Sequence, residues 1–441
     1  MTPVSHGKPC AGNPHARFEE GASAPESPRR NALLHIDEIR LLDLVTLGRF
    51  NEGVPYIDMN VEGDLFSIFQ RQIAGTTTTH DQEYASTFFH EYIHQIQAAL
   101  FYPMQLLFLC RQWQIYEIYK AGVEKAQDGE IVLTPIKYSS EYQKKIKVRN
   151  SSWQAACLGA NKADSIGALE LVEGVARILQ EAYYGVREND TKRYTVTRSV
   201  SASMLGAGTL SMCELLDVCE VALRTKNPGY AFYTLLLSLK GSLPTLRQGD
   251  FYANVTNLAH KRGLLFASDL SSEIVENIQR LFVSNVFVQL QNSMTRLYQG
   301  LQKLFEIPPV FSRLYSLTVA SSKKDEGLFP YWFMIVLGNV GSPPIKNASG
   351  ILEQLSHTAY GDRDQTSIAV EAVIDSVVRD PNIQCGMYNA CMKSHLNGLN
   401  VRPDAMCNIR PWSRTCVNGQ VCPYQAVWKA MGLEGLKLTD D

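Results

Sequence analysis

The chain has 441 residues, with 42 Lys and Arg against 44 Asp and Glu for a net charge of −2. Both signs are interspersed, which excludes the basic footprint of a nucleic-acid-binding surface. Hydrophobic residues make up 45% of the chain, enough to fill real cores, and the length sets a soft expectation of two domains.

Residues 1–32 are rich in Pro, Ser, Gly, Ala and charge, a composition that predicts a disordered arm. They carry no apolar stretch of the secretory-signal kind, so the expected compartment is the cytoplasm. A protein delivered by a specialised secretion machine would read the same way. Within residues 33–75, Ile57-Asp58-Met59-Asn60-Val61 alternates as a strand does.

Residues 84–100 contain neither Gly nor Pro, and Phe89, Ile93, Ile96 and Leu100 recur at helical spacing. Asp81 or Thr79 is expected to cap the start, and the polar stretch 75–81 to be the loop leading in. On this helix lies His90-Glu91-Tyr92-Ile93-His94, an H-E-x-x-H motif. Residues four apart share one helix face. Two imidazoles so placed can hold one metal ion, and Zn²⁺ suits nitrogen ligands. Glu91 follows the first histidine directly and is the candidate general base. The bland alternative is a helix with two surface histidines.

Two histidines leave a zinc site short of the three protein ligands a catalytic centre uses. Residues 104–125 read as helix, 126–152 as a loop or hairpin insertion, and 163–184 as a second helix carrying Glu170 and Glu173. Gly174 in mid-helix costs about 1 kcal/mol against Ala. A close approach by another helix or a metal would explain it, and that favours Glu173 over its rival Glu170. Arg177, Tyr183 and Tyr184 are candidates to stabilise an oxyanion. A third histidine six residues after His94 would mark the metzincin pattern, but Leu100 stands there.

Together, His90-Glu91-Tyr92-Ile93-His94-Gln95 and Glu173-Gly174-Val175-Ala176 resemble the gluzincin branch of zinc metallopeptidases. In its aminopeptidase N-like members, H-E-x-x-H-Q is followed on a second helix by E-G-x-A, whose Glu binds zinc. The resemblance implies His90, His94 and Glu173 as zinc ligands, Glu91 as base and a peptide or protein substrate. It also implies an edge strand within 55–72 on which substrate adds. It covers two helices only. The gap between the two motifs is far longer here, Ile96 and Gln97 replace the Trp and Gly that follow H-Q, and the G-x-M-E-N exopeptidase signature is missing. Aminopeptidase specificity is therefore not implied.

Farther along, helices are expected over 211–225, 229–240, 272–305, 366–379 and 425–431. The apolar runs 230–239 and 328–337 are about half the length of a bilayer span, so they read as core helices and no membrane partner is expected. His260 reads as a surface residue. Of ten cysteines, five crowd the C-terminus: Cys385, Cys391, Cys407, Cys416 and Cys422, with His395 among them. Their spacing departs from the C-x2–4-C pairs of structural zinc sites. Free thiols, disulfides and a second metal site all remain open, and a loop-rich tail is expected.

The sequence thus predicts a mainly α (α+β) protein: an arm at 1–32, a zincin-like domain at 33–270, and a helical region at 271–441 ending in the Cys-rich tail. The expected function is zinc-dependent peptide hydrolysis. The rivals are a scaffold that keeps zinc for stability alone and a protein-interaction or effector protein. Oligomeric state is not legible.

Overall fold

The computed structural model describes residues 48–51, 56–59, 63, 65–105, 108–109, 166–185, 192–281, 288–323, 327–343, 345–346, 352–353, 366–378, 384–388, 391–392, 402–414 and 422–434. The arm at 1–32, the insertion at 126–152, most of 104–125, and Cys10, Cys110, Cys157, Cys416 and His395 lie outside them. The fold is mainly helical with one small sheet, as expected.

The sheet runs β1 (Gly48–Asn51), β2 (Tyr56–Met59), β3 (Ile345–Lys346), β4 (Leu352–Glu353). β1 and β2 are antiparallel, while β2 and β3 are parallel with Ile57 opposite Ile345. The alternation at 57–59 behaves as read: Ile57 and Met59 are buried. Between them, Asp58 is partly exposed and pairs with Lys346 at 3.3 Å. The edge role does not hold, because β2 has a neighbour on each side. Residues beyond it form helix α1 (Leu65–Ile73). The partner that makes β2 interior comes from the far half of the chain, where no local pattern announces it.

Helix α2 (Thr79–Leu100) is the centre of the molecule. It begins five residues earlier than read. Thr78 is the N-cap: its hydroxyl accepts from the Asp81 N–H at 3.2 Å, and Asp81 Oδ2 accepts the Thr78 N–H at 2.9 Å. This capping box satisfies two orphan amides. Arg71 on α1 donates to both Asp81 oxygens, at 2.5 and 3.0 Å.

Every residue from 84 to 99 is buried. A helix buried on all sides is expected to be apolar all round, yet α2 carries seven buried polar residues between Ser86 and Gln97. Burying such groups is costly unless they find partners. The two-surface-histidine alternative is thereby excluded.

The chain continues through α3 (Ala168–Tyr184), α4 (Lys192–Leu205), α5 (Met212–Leu223), α6 (Pro228–Leu246), α7 (Phe251–Lys261), α8 (Ser271–Leu281), α9 (Val288–Leu304), α10 (Phe311–Ser322) and α11 (Tyr331–Val340). The single helix read over 272–305 is two, α8 and α9. Gln302 near the end of α9 donates to Ser271 at the start of α8. One continuous helix would hold these residues about 46 Å apart at 1.5 Å per residue. The stripe Ile274, Leu297, Leu301 is equally well satisfied by two helices laid side by side, which is why it did not reveal the reversal.

The boundary read at 270/271 runs through continuous packing. α9 packs on α2, and α10 packs on α3. From α11, Phe333 meets Phe88, Phe89 and Tyr92 of α2 at ring separations of 6.0, 5.0 and 5.0 Å. The Tyr92 hydroxyl donates to the Gly341 carbonyl at 2.7 Å. Farther on, α12 (Thr366–Val378), the one-turn α13 (Met406–Ile409) and α14 (Pro423–Ala430) pack chiefly among themselves. No described helix is long and apolar enough to cross a membrane.

Candidate metal centre

Helices α2 and α3 run antiparallel, with contacts from Gln97–Val172 at one end to Ser86–Gln180 at the other. Between these contacts the motif residues meet. His90 Nε2 and His94 Nε2 are 3.1 Å apart, and each is 3.2 Å from Glu173 Oε2. The three donors make a nearly equilateral triangle. In a zinc tetrahedron with bonds of about 2.0–2.1 Å, the edges are about 3.3–3.4 Å. Two imidazole nitrogens and a carboxylate oxygen at this spacing fit one cation, and the group could hold a metal ion.

The second ring nitrogens bear on the fit. Gln97 Nε2 donates to the Val172 carbonyl at 2.9 Å, which fixes its amide. Its oxygen, 2.8 Å from His94 Nδ1, can only accept. The neutral ring therefore carries its proton on Nδ1 and turns its Nε2 lone pair to the triangle. Outer hydrogen bonds of this type orient metal-ligating histidines. His90 Nδ1 is buried with no partner among the described residues. Its ring stands edge-on to Tyr194 of α4 at 5.8 Å.

Electrostatics follow from burial and the shared charge. Burial pushes His90 down. It also works against the His94 imidazolium, but the charge and hydrogen bond of Glu173, then the charge of Glu91, raise that group to about 9. Burial would raise Glu173, but the two histidines hold it well below the usual carboxylate range. Glu91 is itself 6% exposed, and its charge acts on His94.

Glu170, the rival ligand, is elsewhere engaged. Its Oε2 accepts the Gly167 N–H at 2.7 Å and caps the start of α3. Gly174 does mark a close approach, and the approaching element is α4. A Cβ there would stand 2.3 Å from Thr197 Oγ1.

The oxyanion candidates divide. Tyr183 and Tyr184 lie ten and eleven residues past Glu173, about 15 Å along the helix. They donate to the Gly327 and Leu328 carbonyls at 2.7 and 2.6 Å, as structural ties. Arg177 stays close, buried one turn from Glu173 and 5.7 Å above the Tyr194 ring. It is held by Gln180 Oε1 at 2.7 Å and Glu181 Oε1 at 3.1 Å. Sequence reasoning missed Tyr194, because α4 carries no apolar stripe to announce a helix.

A pocket of about 460 Å³ opens at the start of α2 and the end of α3, lined by Thr79, Glu83, Ser86, Tyr183 and Tyr184 among others. Ser86 precedes His90 by one turn on the same face.

Compared with family models, with curated proteins and with solved structures, the chain matches none.

Proposed function

We propose that this chain is a zinc-dependent peptidase acting on a peptide or protein substrate. The observation that carries the reading is the triangle of His90, His94 and Glu173, with edges of 3.1–3.2 Å, and Glu91 buried beside it. Zinc, when bound by these three residues, supplies Lewis acidity at the bond to be cut. The chain's own residues do the rest. Glu91 takes a proton from the attacking water and passes it to the leaving amine. Tyr194, with Arg177 behind it, faces the charge that develops on the carbonyl oxygen. The pocket beside Ser86 receives the neighbouring part of the substrate.

The test is Glu91→Gln in zinc-reconstituted protein against a library of quenched fluorescent peptides. Hydrolysis by the parent, its loss in the variant and an unchanged zinc content are expected. Loss of zinc along with activity would make Glu91 a metal-holding group, and full activity would remove it from the mechanism.

One observation favours a second reading, a metal kept for stability alone. The side chains of His90, His94 and Glu173 are only 8%, 9% and 12% exposed. On that reading the parent hydrolyses no peptide in the library, while chelation still lowers the melting temperature.

A further inference from the structure

The pocket at the start of α2 carries a chemistry that the metal triangle does not use. Its volume of about 460 Å³ leaves room for one long side chain. Thr79, Glu83 and Ser86 line it at i, i+4 and i+7 of α2, so they share one face of the helix. His90 continues that face a turn after Ser86. Tyr183 and Tyr184 at the end of α3 supply a second wall, with ring centres 5.0 Å apart and planes at 80°.

The lining is rich in hydrogen-bond acceptors. The Tyr183 and Tyr184 hydroxyls donate to the Gly327 and Leu328 carbonyls, and these two residues line the same pocket. Each carbonyl keeps a second lone pair, and a phenol that has given its proton can only accept. Glu83 is the only charged side chain of the described lining, which holds no Lys, Arg or His. It is exposed, and its carboxylate has no hydrogen bond or ion pair with another described residue. An anion would be repelled by this carboxylate. An apolar side chain would strip water from the carboxylate and the carbonyls and replace none of it. A cation with several N–H donors suits both. The carboxylate accepts a charge-assisted bond, the carbonyls accept the remaining donors, and aromatic walls suit a planar guanidinium.

We propose that this pocket is a subsite for an arginine side chain of the peptide substrate, with Glu83 as the residue that selects it. The inference rests on the peptidase reading for what is cut, and on the pocket alone for what is bound. Two helical turns, about 10 Å of axis, separate Glu83 from His90. An extended peptide rises about 3.3 Å per residue. The arginine therefore stands within about three positions of the bond to be cut.

The test compares short fluorescein-labelled peptides that carry one arginine with twins that carry citrulline, its neutral isostere. Binding to the full zinc-loaded chain with Glu91→Gln is read by fluorescence anisotropy, and hydrolysis by the parent is followed separately. The arginine peptides should bind on the order of tenfold tighter than their twins, the usual scale of one hydrogen bond to a charged group. Glu83→Gln should bring that ratio close to one, and Glu83→Lys should invert it. Glu83 is exposed, so neither change threatens the fold. Equal binding of the twins, or no binding of either, would overturn the subsite. So would a preference for arginine that survives Glu83→Gln, because the charge would then be read elsewhere. Glu83-dependent binding without hydrolysis by the parent keeps the subsite and removes the peptidase reading. Hydrolysis without a preference for arginine does the reverse.

Discussion

Gln97 holds His94 from behind: its side-chain oxygen is 2.8 Å from Nδ1 while its amide nitrogen is tied to Val172 on α3. One amide thus fixes a ring of the candidate metal triangle and clamps α2 to α3. Gln97→Leu keeps the volume but removes both bonds. Zinc affinity should fall by about 10–100-fold, the usual effect of losing an outer-shell partner. Competition against a chromogenic chelator measures it. An unchanged affinity would mean that the ring is held by packing alone.

Zinc affinity should rise with pH. His94, raised to about 9 by Glu173 and Glu91 against the opposing effect of burial, keeps a proton that the metal must displace. Affinity should climb close to tenfold per pH unit and level off near 9. The metal-free chain should show the opposite slope on the alkaline side. The His94 contribution to stability is fully present below the ordinary value of 6.5 and is lost as pH rises through about 9. His90, pushed down by burial, acts only on the acid side of 6.5; between about 7 and 9 the loss is that of His94, and above 9 the buried thiols, raised by burial, add to it. Denaturant melts with and without chelator at pH 6.5, 8 and 9.5 separate the two slopes.

The motif was legible because its geometry is local. His90 and His94 share a helix face by spacing alone, and Gly174 announced a close neighbour. What was not legible depends on contacts distant in sequence. Tyr194 stands on a helix whose Thr, Ser and Arg residues mask any stripe. β2 became an interior strand through Ile345. Tyr183 and Tyr184 carry plausible chemistry on the right helix, but distance along its axis removes them.

The cap of α2 should be separable from the metal chemistry. Asp81 is held at about 2, chiefly by the hydrogen bond from Arg71 and then by Thr78, with burial opposing. A depressed carboxylate stabilises the fold above its ordinary 3.8, and that contribution is lost as pH falls through about 2. It amounts to on the order of 2 kcal/mol. Asp81→Ala should lose a similar amount at pH 7, read from urea melts, with bound zinc unchanged. Zinc loss in the folded variant would show that the cap sets the register of the ligands.

Gly174→Ala should disturb α3 where it carries Glu173. The new methyl would meet Thr197 Oγ1 at 2.3 Å, a separation real side chains do not adopt. Thr197 is fully buried and donates to the Glu170 carbonyl at 3.1 Å, so it cannot simply swing away. A destabilisation of about 1–3 kcal/mol is expected from overpacking, with weaker zinc binding as α3 shifts. Adding Thr197→Gly should recover zinc affinity by making room. If zinc affinity stays low in the double variant, Gly174 matters to the ligands by some route other than this contact.

Phe333→Ala tests whether the metal helices and the chain beyond residue 271 unfold together. Phe333 is fully buried and packs on Phe88, Phe89, Tyr92, Phe329 and Trp332. Three of these partners lie on α2, so the ring joins the two halves directly at the motif helix. Truncation of such a ring costs about 3–5 kcal/mol through lost transfer energy and the cavity left behind. Metal bound to the native state alone adds stability by mass action. Saturating zinc should therefore raise the melting temperature of the variant, and its tryptophan fluorescence and zinc release should change in one transition. Trp332, packed on Phe89 at 5.7 Å, sits at that junction. Two separated transitions, with zinc retained after the aromatic cluster has melted, would show that α2 and α3 fold without α11.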